Sequence, residues 1–213
     1  MIAPSLLSAD FLHLENDVRM IDGCSDLLHL DIMDGSFVPN ISFGFPVVDA
    51  VAKVAQKPLD AHLMTVHPER WFSRLASAGV RMVSFHLEAA HGKASDNIKA
   101  LHDLGVKAGV VINPDIPVKK LFKYVGEADY LVIMSVFAGF AGQKFIYESL
   151  DRTAALRDEI VRTGASTLIE VDGGVTLDNA KAIKEAGADI LVAGSTVFKS
   201  ADPAATVAAL RNI

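Results

Sequence analysis

The sequence predicts a single α/β domain, residues 1–213, folded as a (β/α)8 barrel. Eight short apolar runs alternate with eight longer amphipathic stretches, and such alternation is typical of parallel strands joined by crossover helices. Eight units in 213 residues leave about 27 residues for each, which is compact for this class. Hydrophobic residues form 51% of the chain and can build a substantial core. The alternative is an open doubly wound sheet, which rarely needs eight strands of this regularity.

Each element is predicted from its own pattern of apolar residues. The strands are expected at Ile2–Leu6, Leu27–Met33, Leu59–Met64, Met82–His86, Lys107–Ile112, Tyr130–Ser135, Thr167–Val171 and Ile190–Ala193. The helices are expected near Leu12–Ile21, Pro46–Ala55, Pro68–Ala78, Ala94–Leu104, Val118–Val125, Glu148–Arg162, Leu177–Ala186 and Pro203–Leu210. Asp202 before Pro203 is a typical helix N-cap. Several helices are predicted to end at a glycine in the left-handed conformation, namely Gly79, Gly105, Gly164 and Gly187.

Charge and cysteine content exclude several classes of protein. A net charge of −6 argues against a nucleic-acid surface, which needs a basic patch. No apolar run approaches the roughly 18 residues of a spanning helix, and the first residues lack the basic start of a signal peptide. Cys24 is the only cysteine, so no disulfide can form within the chain. We therefore expect a cytoplasmic protein without a membrane or nucleic-acid partner.

Two histidines and two aspartates lie at predicted strand ends: His29, Asp31, His62 and Asp172. The carboxyl ends of barrel strands meet at one face, where such folds carry out their chemistry. Two imidazoles and two carboxylates can hold a divalent metal, and the carboxylates can also transfer protons. Taken singly, each of these side chains is also compatible with a hydrogen-bonded residue of the core.

Alternation along the strands predicts which of these side chains face inward. His29, Asp31 and Met33 share one face of their strand and are expected in the barrel mouth, with Leu28, Leu30 and Ile32 toward the helices. His62 and Met64 repeat this arrangement on the next strand. His86 and Glu88 are also two residues apart at a strand end and are candidates for the same site.

Two glycine-containing turns follow the last two strands, at Asp172-Gly173-Gly174 and Ala193-Gly194-Ser195. Phosphate sites in barrels commonly lie in these two loops, where backbone N–H groups can approach an anion. A plain strand-to-helix turn is the alternative for each turn alone. The long segment Met134–Phe145 after the sixth strand has small residues and exposed aromatic side chains, which suit a mobile lid that excludes water. An ordinary packed loop is the alternative.

The chain resembles the ribulose-phosphate 3-epimerase family along essentially its whole length. The stretches that carry the resemblance are Ile2–Phe11, His29–Gly35, Phe37–Asn40, Asp60–Met64, Gly139–Phe145, Glu170–Val175 and Ala186–Ser195.

The resemblance implies a phosphate-binding TIM barrel that inverts C3 of D-ribulose 5-phosphate to give D-xylulose 5-phosphate in the pentose phosphate pathway. It implies a divalent metal, zinc or iron(II) first and manganese or cobalt next, on His29, Asp31, His62 and Asp172. Asp31 and Asp172 would be the acid/base pair. The substrate, a small phosphorylated ketose, would contact Ser8, His62, Met33, Met64, Met134, Gly139, Gly142, Gly174, Gly194 and Ser195. A homo-oligomer, dimer or hexamer, is also implied.

The chain departs from the family pattern near the lid. Phe137-Ala138 stands where the family usually has Asn-Pro, Ala141 replaces a glycine, and Ser36 replaces a histidine. D-Allulose-6-phosphate 3-epimerase, which shares the metal set and often this form of the lid, is therefore the second candidate. Its seventh-strand turn tends to lack the second glycine, which is Gly174 here.

Two further classes are less compatible with the residues. Metal-dependent aldolases and decarboxylases related to orotidine-phosphate decarboxylase have a lysine in the pattern Asp-x-Lys-x-x-Asp, whereas this chain has Asp31-Ile32-Met33-Asp34. A non-catalytic phosphosugar-binding barrel would be indicated by loss of Asp31 or Asp172, and both are present.

Overall fold

Eight parallel strands form a nearly closed barrel in a computed structural model that describes residues 1–213. The strands are β1 (Ile2–Ala3), β2 (Leu28–Met33), β3 (Leu59–Met64), β4 (Met82–His86), β5 (Lys107–Ile112), β6 (Tyr130–Met134), β7 (Leu168–Asp172) and β8 (Ile190–Val192). From β2 to β8 each strand pairs with the next in chain order, and β8 pairs with β1. A parallel bridge between Ser5 and His29 joins the β1 and β2 ends of the sheet. The barrel prediction is confirmed, and the open-sheet alternative is wrong.

The helices surround the barrel. They are α1 (Leu14–Asp22), α2 (Phe45–Val54), α3 (Phe72–Ser77), α4 (Ala94–Asp103), α5 (Glu148–Thr163), α6 (Ala180–Glu185), α7 (Ser195–Phe198) and α8 (Pro203–Asn212). The predicted caps are confirmed: the Asp202 side chain accepts a hydrogen bond from the backbone N–H of Ala205. The four glycines predicted to end helices all have positive φ. None of the helices combines the length and apolar character needed to cross a bilayer.

The prediction of a helix over Val118–Val125 is wrong. The segment forms two separate 3-10 turns, Val118–Lys120 and Phe122–Tyr124. Only eight residues separate Pro117 from Gly126, and several of them are β-branched or aromatic. So short a segment cannot offset the cost of helix nucleation. The predicted helix Pro68–Ala78 is likewise divided, into a 3-10 turn at Pro68–Arg70 followed by α3.

The two faces of each strand enter different parts of the interior. Leu28 and Leu30 belong to the main core between strands and helices, as predicted, whereas His29 faces the other way. Inside the barrel, the ring of Tyr130 packs against Gly109, where a Cβ atom would lie 2.5 Å from the ring. Any larger residue at position 109 would collide with the Tyr130 ring. The side chains below the mouth therefore fill the barrel and close its floor.

Candidate active site

Four strand-end side chains converge at the mouth of the barrel, as the sequence predicts. The Nε2 atom of His29 lies 3.5 Å from Asp31 Oδ1 and 3.7 Å from Asp172 Oδ2. The Nδ1 atom of His62 lies 3.3 Å from each of the same two oxygens. One donor atom from each residue lies within 4.8 Å of all the others. The distances bring two imidazoles and two carboxylates around a single point.

The residues present fit a divalent cation. His29 Nε2 and His62 Nδ1 are buried and have no hydrogen-bond partner. Buried polar atoms are rarely left without a partner, and each such atom needs an explanation. Both atoms face the two carboxylates, and nitrogen and carboxylate donors together suit zinc or iron(II). A cation at this point would satisfy all four groups.

The protein supports His29 from behind with a carboxylate. The Nδ1 atom of His29 lies 2.7 Å from Asp60 Oδ2, and Tyr130 donates its hydroxyl hydrogen to Asp60 Oδ1 at 2.8 Å. This arrangement fixes the ring so that Nε2 points into the site. In the metal-free protein, burial lowers the pKa of His29, but the nearby charges of Asp31 and Asp60 raise it well above the ordinary value.

A second buried acid lies beside Asp60. Burial and the charge of Asp60 raise the pKa of Glu170 well above its ordinary value. Glu170 therefore stays protonated, which avoids a pair of adjacent negative charges below the site. The set His29, Asp60 and Glu170 has ligand-like spacing. However, Asp60 is already hydrogen-bonded to both His29 and Tyr130, so this set supports the site above it.

His62 is supported by another imidazole. Its Nε2 atom lies 3.0 Å from the Nε2 atom of His86. Burial lowers the pKa of His86 to about 4, and a protonated His62 would lower it further. His86 is therefore neutral, and with Nδ1 of His62 facing the carboxylates, the Nε2–H of His62 donates to His86. His86 lies behind a site residue and is fully buried; Glu88 lies behind it in turn.

The two carboxylates are held from their outer sides. Ser5 donates its hydroxyl hydrogen to Asp31 Oδ2 at 2.5 Å. Burial opposes ionisation of Asp31, but the charges of His29 and His62 lower its pKa well below the ordinary value, so it is ionised. Ser135 donates to the carbonyl oxygens of Asp172 and Gly173, which fixes the end of β7. Asp31 and Asp172 line the cleft above the site, whereas both histidines are completely buried.

A cleft opens above this cluster. Met33, Met64 and Met134 form an apolar wall beside the carboxylates. The other predicted contact residues line the same cleft: Ser8, Gly139, Gly142, Gly174, Gly194 and Ser195. His62 lies below the surface of the cleft. The structure thus brings all the predicted site residues to one place.

The far end of the cleft is built from backbone after β7 and β8. Gly174 has a φ of 62°, and a Cβ atom there would lie 2.6 Å from the backbone nitrogen of Phe145. At Gly194, which precedes α7, a Cβ atom would lie 2.6 Å from the hydroxyl of Ser8. Gly174 therefore requires glycine, whereas a side chain at position 194 would require the Ser8 hydroxyl to move. The short helix α7 begins at Ser195, which lines this end of the cleft, and the backbone at the start of a helix suits an anion.

The segment 137–145 lies over the cleft and is called the lid below. Its two phenylalanines, Phe137 and Phe140, are 52% and 53% exposed. Gln143 donates hydrogen bonds to the carbonyl oxygens of both. The lid therefore holds its shape through its own contacts and presents apolar side chains to water.

The residues that support the site from outside were not predicted. Ser5 contacts Asp31 and Asp60 contacts His29, Tyr130 contacts Asp60, and Asn40 and Asn113 contact the lid. Periodicity places Asp60 on the same strand face as His62, which was a usable signal. Nothing in the local sequence around Tyr130 indicates its partner 70 positions earlier.

A sequence model described as the ribulose-phosphate 3 epimerase family matches residues 1–198. The chain belongs to the ribulose-phosphate 3-epimerase family. The ribulose-phosphate 3-epimerase of Mycobacterium bovis is 42% identical over 99% of this chain and 91% of its own length. The ribulose-phosphate 3-epimerase of Bacillus subtilis is 41% identical over 99% of this chain and 97% of its own length. The chloroplastic ribulose-5-phosphate-3-epimerase of Arabidopsis thaliana is 42% identical over 99% of this chain and 76% of its own length. As a member of this family, the chain is an enzyme, an epimerase of carbohydrate metabolism.

Solved structures share the fold at much lower identity. KGPDC from Streptococcus mutans covers 99% of this chain and 95% of its own, with a TM-score of 0.72 and 14% identity. A 3-hexulose-6-phosphate synthase covers 99% of this chain and 97% of its own, with a TM-score of 0.70 and 20% identity. At such identities the likeness concerns the barrel alone.

Proposed function

We propose that this enzyme inverts C3 of D-ribulose 5-phosphate to give D-xylulose 5-phosphate with the help of a divalent metal. One observation carries the proposal. Asp31 and Asp172, from strands on different sides of the barrel, meet beside two buried imidazole nitrogens that have no partner. Inversion needs a base on one face of a carbon and an acid on the other, and this pair supplies both.

The metal would be held by His29, Asp31, His62 and Asp172. When bound, it supplies positive charge that stabilises the enediolate formed once C3 loses its proton, which is worth several kcal/mol. Zinc or iron(II) fits the two imidazoles and two carboxylates best, and manganese or cobalt fits next. Asp60 and His86 orient the two histidines from behind and keep their free nitrogens directed at the site.

The remaining residues bind and enclose the sugar. One aspartate takes the C3 proton and the other returns a proton to the opposite face, and the reverse reaction exchanges their roles. Met33, Met64 and Met134 exclude water from the reacting carbon without competing for protons. The backbone around Gly142, Gly174, Gly194 and Ser195 would bind the phosphate, and Ser8 would contact the sugar. Gly139 would place the start of the lid against the substrate.

D-Allulose 6-phosphate is the second candidate substrate, because Ala141 gives the lid the form that this epimerase often has. Turnover of the two sugar phosphates by the purified protein separates the candidates. We expect a higher kcat/KM for ribulose 5-phosphate. A preference for allulose 6-phosphate would reassign the substrate, and turnover of neither would reject the proposal.

Metal dependence has a separate test. We expect that chelation inactivates the enzyme and that adding back zinc or iron(II) restores turnover. A calorimetric titration of the metal-free protein should give one site per chain. Full turnover by protein shown to be metal-free by elemental analysis would reject the proposed metal requirement.

We propose a cytoplasmic homo-oligomer, dimer or hexamer. The family resemblance and the single cysteine support this, together with two strongly exposed apolar side chains at the mouth, Leu12 and Ile41. Sedimentation velocity of the purified protein tests the assembly. A monomer at micromolar concentration would reject it.

A further inference from the structure

Two asparagine side chains hold the first turn of the lid from opposite directions. Asn113, just after β5, accepts a hydrogen bond at its Oδ1 atom from the backbone N–H of Ala138, at 3.1 Å. Asn40, in the loop between β2 and α2, donates from its Nδ2 atom to the carbonyl oxygen of Gly139, at 2.8 Å. One asparagine thus binds the donor and the other the acceptor of the same two-residue turn.

The orientation of the Asn113 amide is fixed by a carboxylate. Both its backbone N–H and its Nδ2 donate to Glu88 Oε1, at 3.2 Å and 3.0 Å. Because a carboxylate accepts and does not donate, Nδ2 must face Glu88, and Oδ1 is left facing Ala138. The same amide lies 3.5 Å from His86, whose ring contacts the site residue His62. Asn113 therefore joins the lid to the group that supports the site.

The N–H of Ala138 is a feature of this chain. The family pattern has proline at this position, and proline has no N–H to donate. Gly139 has a φ of 127° and follows Ala138 in the turn, which is an arrangement that favours proline at position 138. In this chain, the hydrogen bond to Asn113 replaces the constraint that a proline ring would supply.

We propose that Asn113 and Asn40 are positioning residues that anchor the first turn of the lid, Ala138-Gly139, to the loops after β5 and β2. The proposal rests on the proposed function in one respect, since it takes the segment 137–145 as the cover of a sugar-phosphate cleft. It concerns neither the metal nor the acid/base pair.

Hydrogen–deuterium exchange of the lid amides in the substrate-free protein tests the anchor. We expect Asn113→Ala and Asn40→Ala each to speed exchange across 137–145 by about 3- to 10-fold, the effect of losing one hydrogen bond. Ala138→Pro removes the N–H donor within a backbone shape that proline accepts. In the Ala138→Pro background, Asn113→Ala should change the exchange rate of the lid amides little further, whereas Asn40→Ala should still speed their exchange. Ala138→Ser, which retains the N–H, is the matched control and should exchange like the wild type.

Wild-type exchange in Asn113→Ala, or an equal effect of Asn113→Ala with and without Ala138→Pro, would overturn the anchor. Steady-state kinetics with ribulose 5-phosphate adds a second readout. A looser lid raises KM, because substrate binding must then order it, whereas simple loss of folded protein lowers kcat and leaves KM unchanged. We expect Asn113→Ala to raise KM about 3- to 10-fold. If the wild type does not turn over this sugar, the proposed function fails while the exchange result still decides the anchor.

Discussion

The two ends of the cleft are built in different ways. The end that we propose binds the metal, the metal end, is made of buried side chains on strands, each supported by a second side chain: His29 by Asp60, His62 by His86 and Asp31 by Ser5. The end that we propose binds the phosphate, the phosphate end, is made of backbone in loops, where Gly174 leaves no room for a Cβ atom. The metal end would bind through the chemistry of particular side chains, and the phosphate end through close approach of the backbone.

This difference predicts different responses to substitution. Side chains at the metal end act on the chemical step or on the ion, so changes there should affect kcat or metal binding. Backbone at the phosphate end acts on substrate binding, so changes there should mainly affect KM.

The largest effect is expected from the acid/base pair. Asp31→Asn and Asp172→Asn each remove a proton-transfer group and one negative charge beside the cation. Such a group contributes about 10²- to 10⁴-fold in rate, so kcat should fall at least that far. Exchange of the C3 hydrogen with deuterium oxide, followed by NMR, measures the loss directly. Wild-type-like exchange in both variants would contradict the two-carboxylate assignment, and thermal melts check that the variants fold.

Asp60→Asn tests whether the support of a ligand matters as much as the ligand. An amide in place of the carboxylate weakens the hydrogen bond to His29 Nδ1, and loss of such a partner typically costs about 10- to 100-fold in metal affinity. Competition with a chromogenic chelator measures this. Asp49→Asn, which removes a surface carboxylate paired with Arg74, is the control and should bind metal like the wild type. Equal metal affinity in Asp60→Asn and Asp49→Asn would mean that metal affinity depends on the four direct ligands alone.

Gly174→Ala tests the phosphate end. The new Cβ atom would collide with the backbone of Phe145, and the positive φ adds a strain of about 1 kcal/mol or more. We expect KM for the sugar phosphate to rise roughly tenfold or more, with a smaller change in kcat, since about 1.4 kcal/mol corresponds to tenfold. Gly164→Ala is matched in φ, at 69° against 62°, but has open space and lies far from the cleft. It should lower the thermal stability and leave KM unchanged.

Metal binding should also depend on pH. In the metal-free protein, burial lowers the pKa of His62, but the nearby charges of Asp172 and Asp31 raise it above the ordinary value, and the pKa of His29 is also raised. Protonated imidazoles cannot bind a cation, so metal binding must release their protons. Affinity should therefore rise with pH by about tenfold per unit for each proton released, and level off above the raised pKa values. Calorimetry in buffers of different ionisation enthalpy counts the protons; release of none would contradict these shifts.

The sequence was sufficient for most of the fold and for the residues facing the cleft. Alternation placed His29, Asp31 and Met33 on one face because side-chain direction in a strand depends only on position parity. The glycines in the turns after the last two strands predicted the proposed phosphate end, because backbone N–H groups can approach an anion closely there. The same reasoning failed at 118–125, where apolar spacing resembled a helix that is too short to nucleate.

What the sequence could not supply is the partner of each buried polar group. Tyr130 and Asp60 are 70 positions apart, and their contact depends on barrel closure and on the small size of Gly109. Asn113 and Ala138 meet because two loops at the same end of the barrel come together. Such pairs depend on three-dimensional packing, which no local pattern in one sequence reports.

The buried side chains inside the barrel affect where the site can exchange hydrogen with water. Tyr130, Asp60 and Glu170 are completely buried below the two histidines, whereas Asp31 and Asp172 line the cleft under the lid. In the proposed reaction, a hydrogen that either aspartate takes from the sugar would therefore reach bulk water by way of the cleft. The ratio of isotope washout to product formation would measure how often this exchange precedes release of the product.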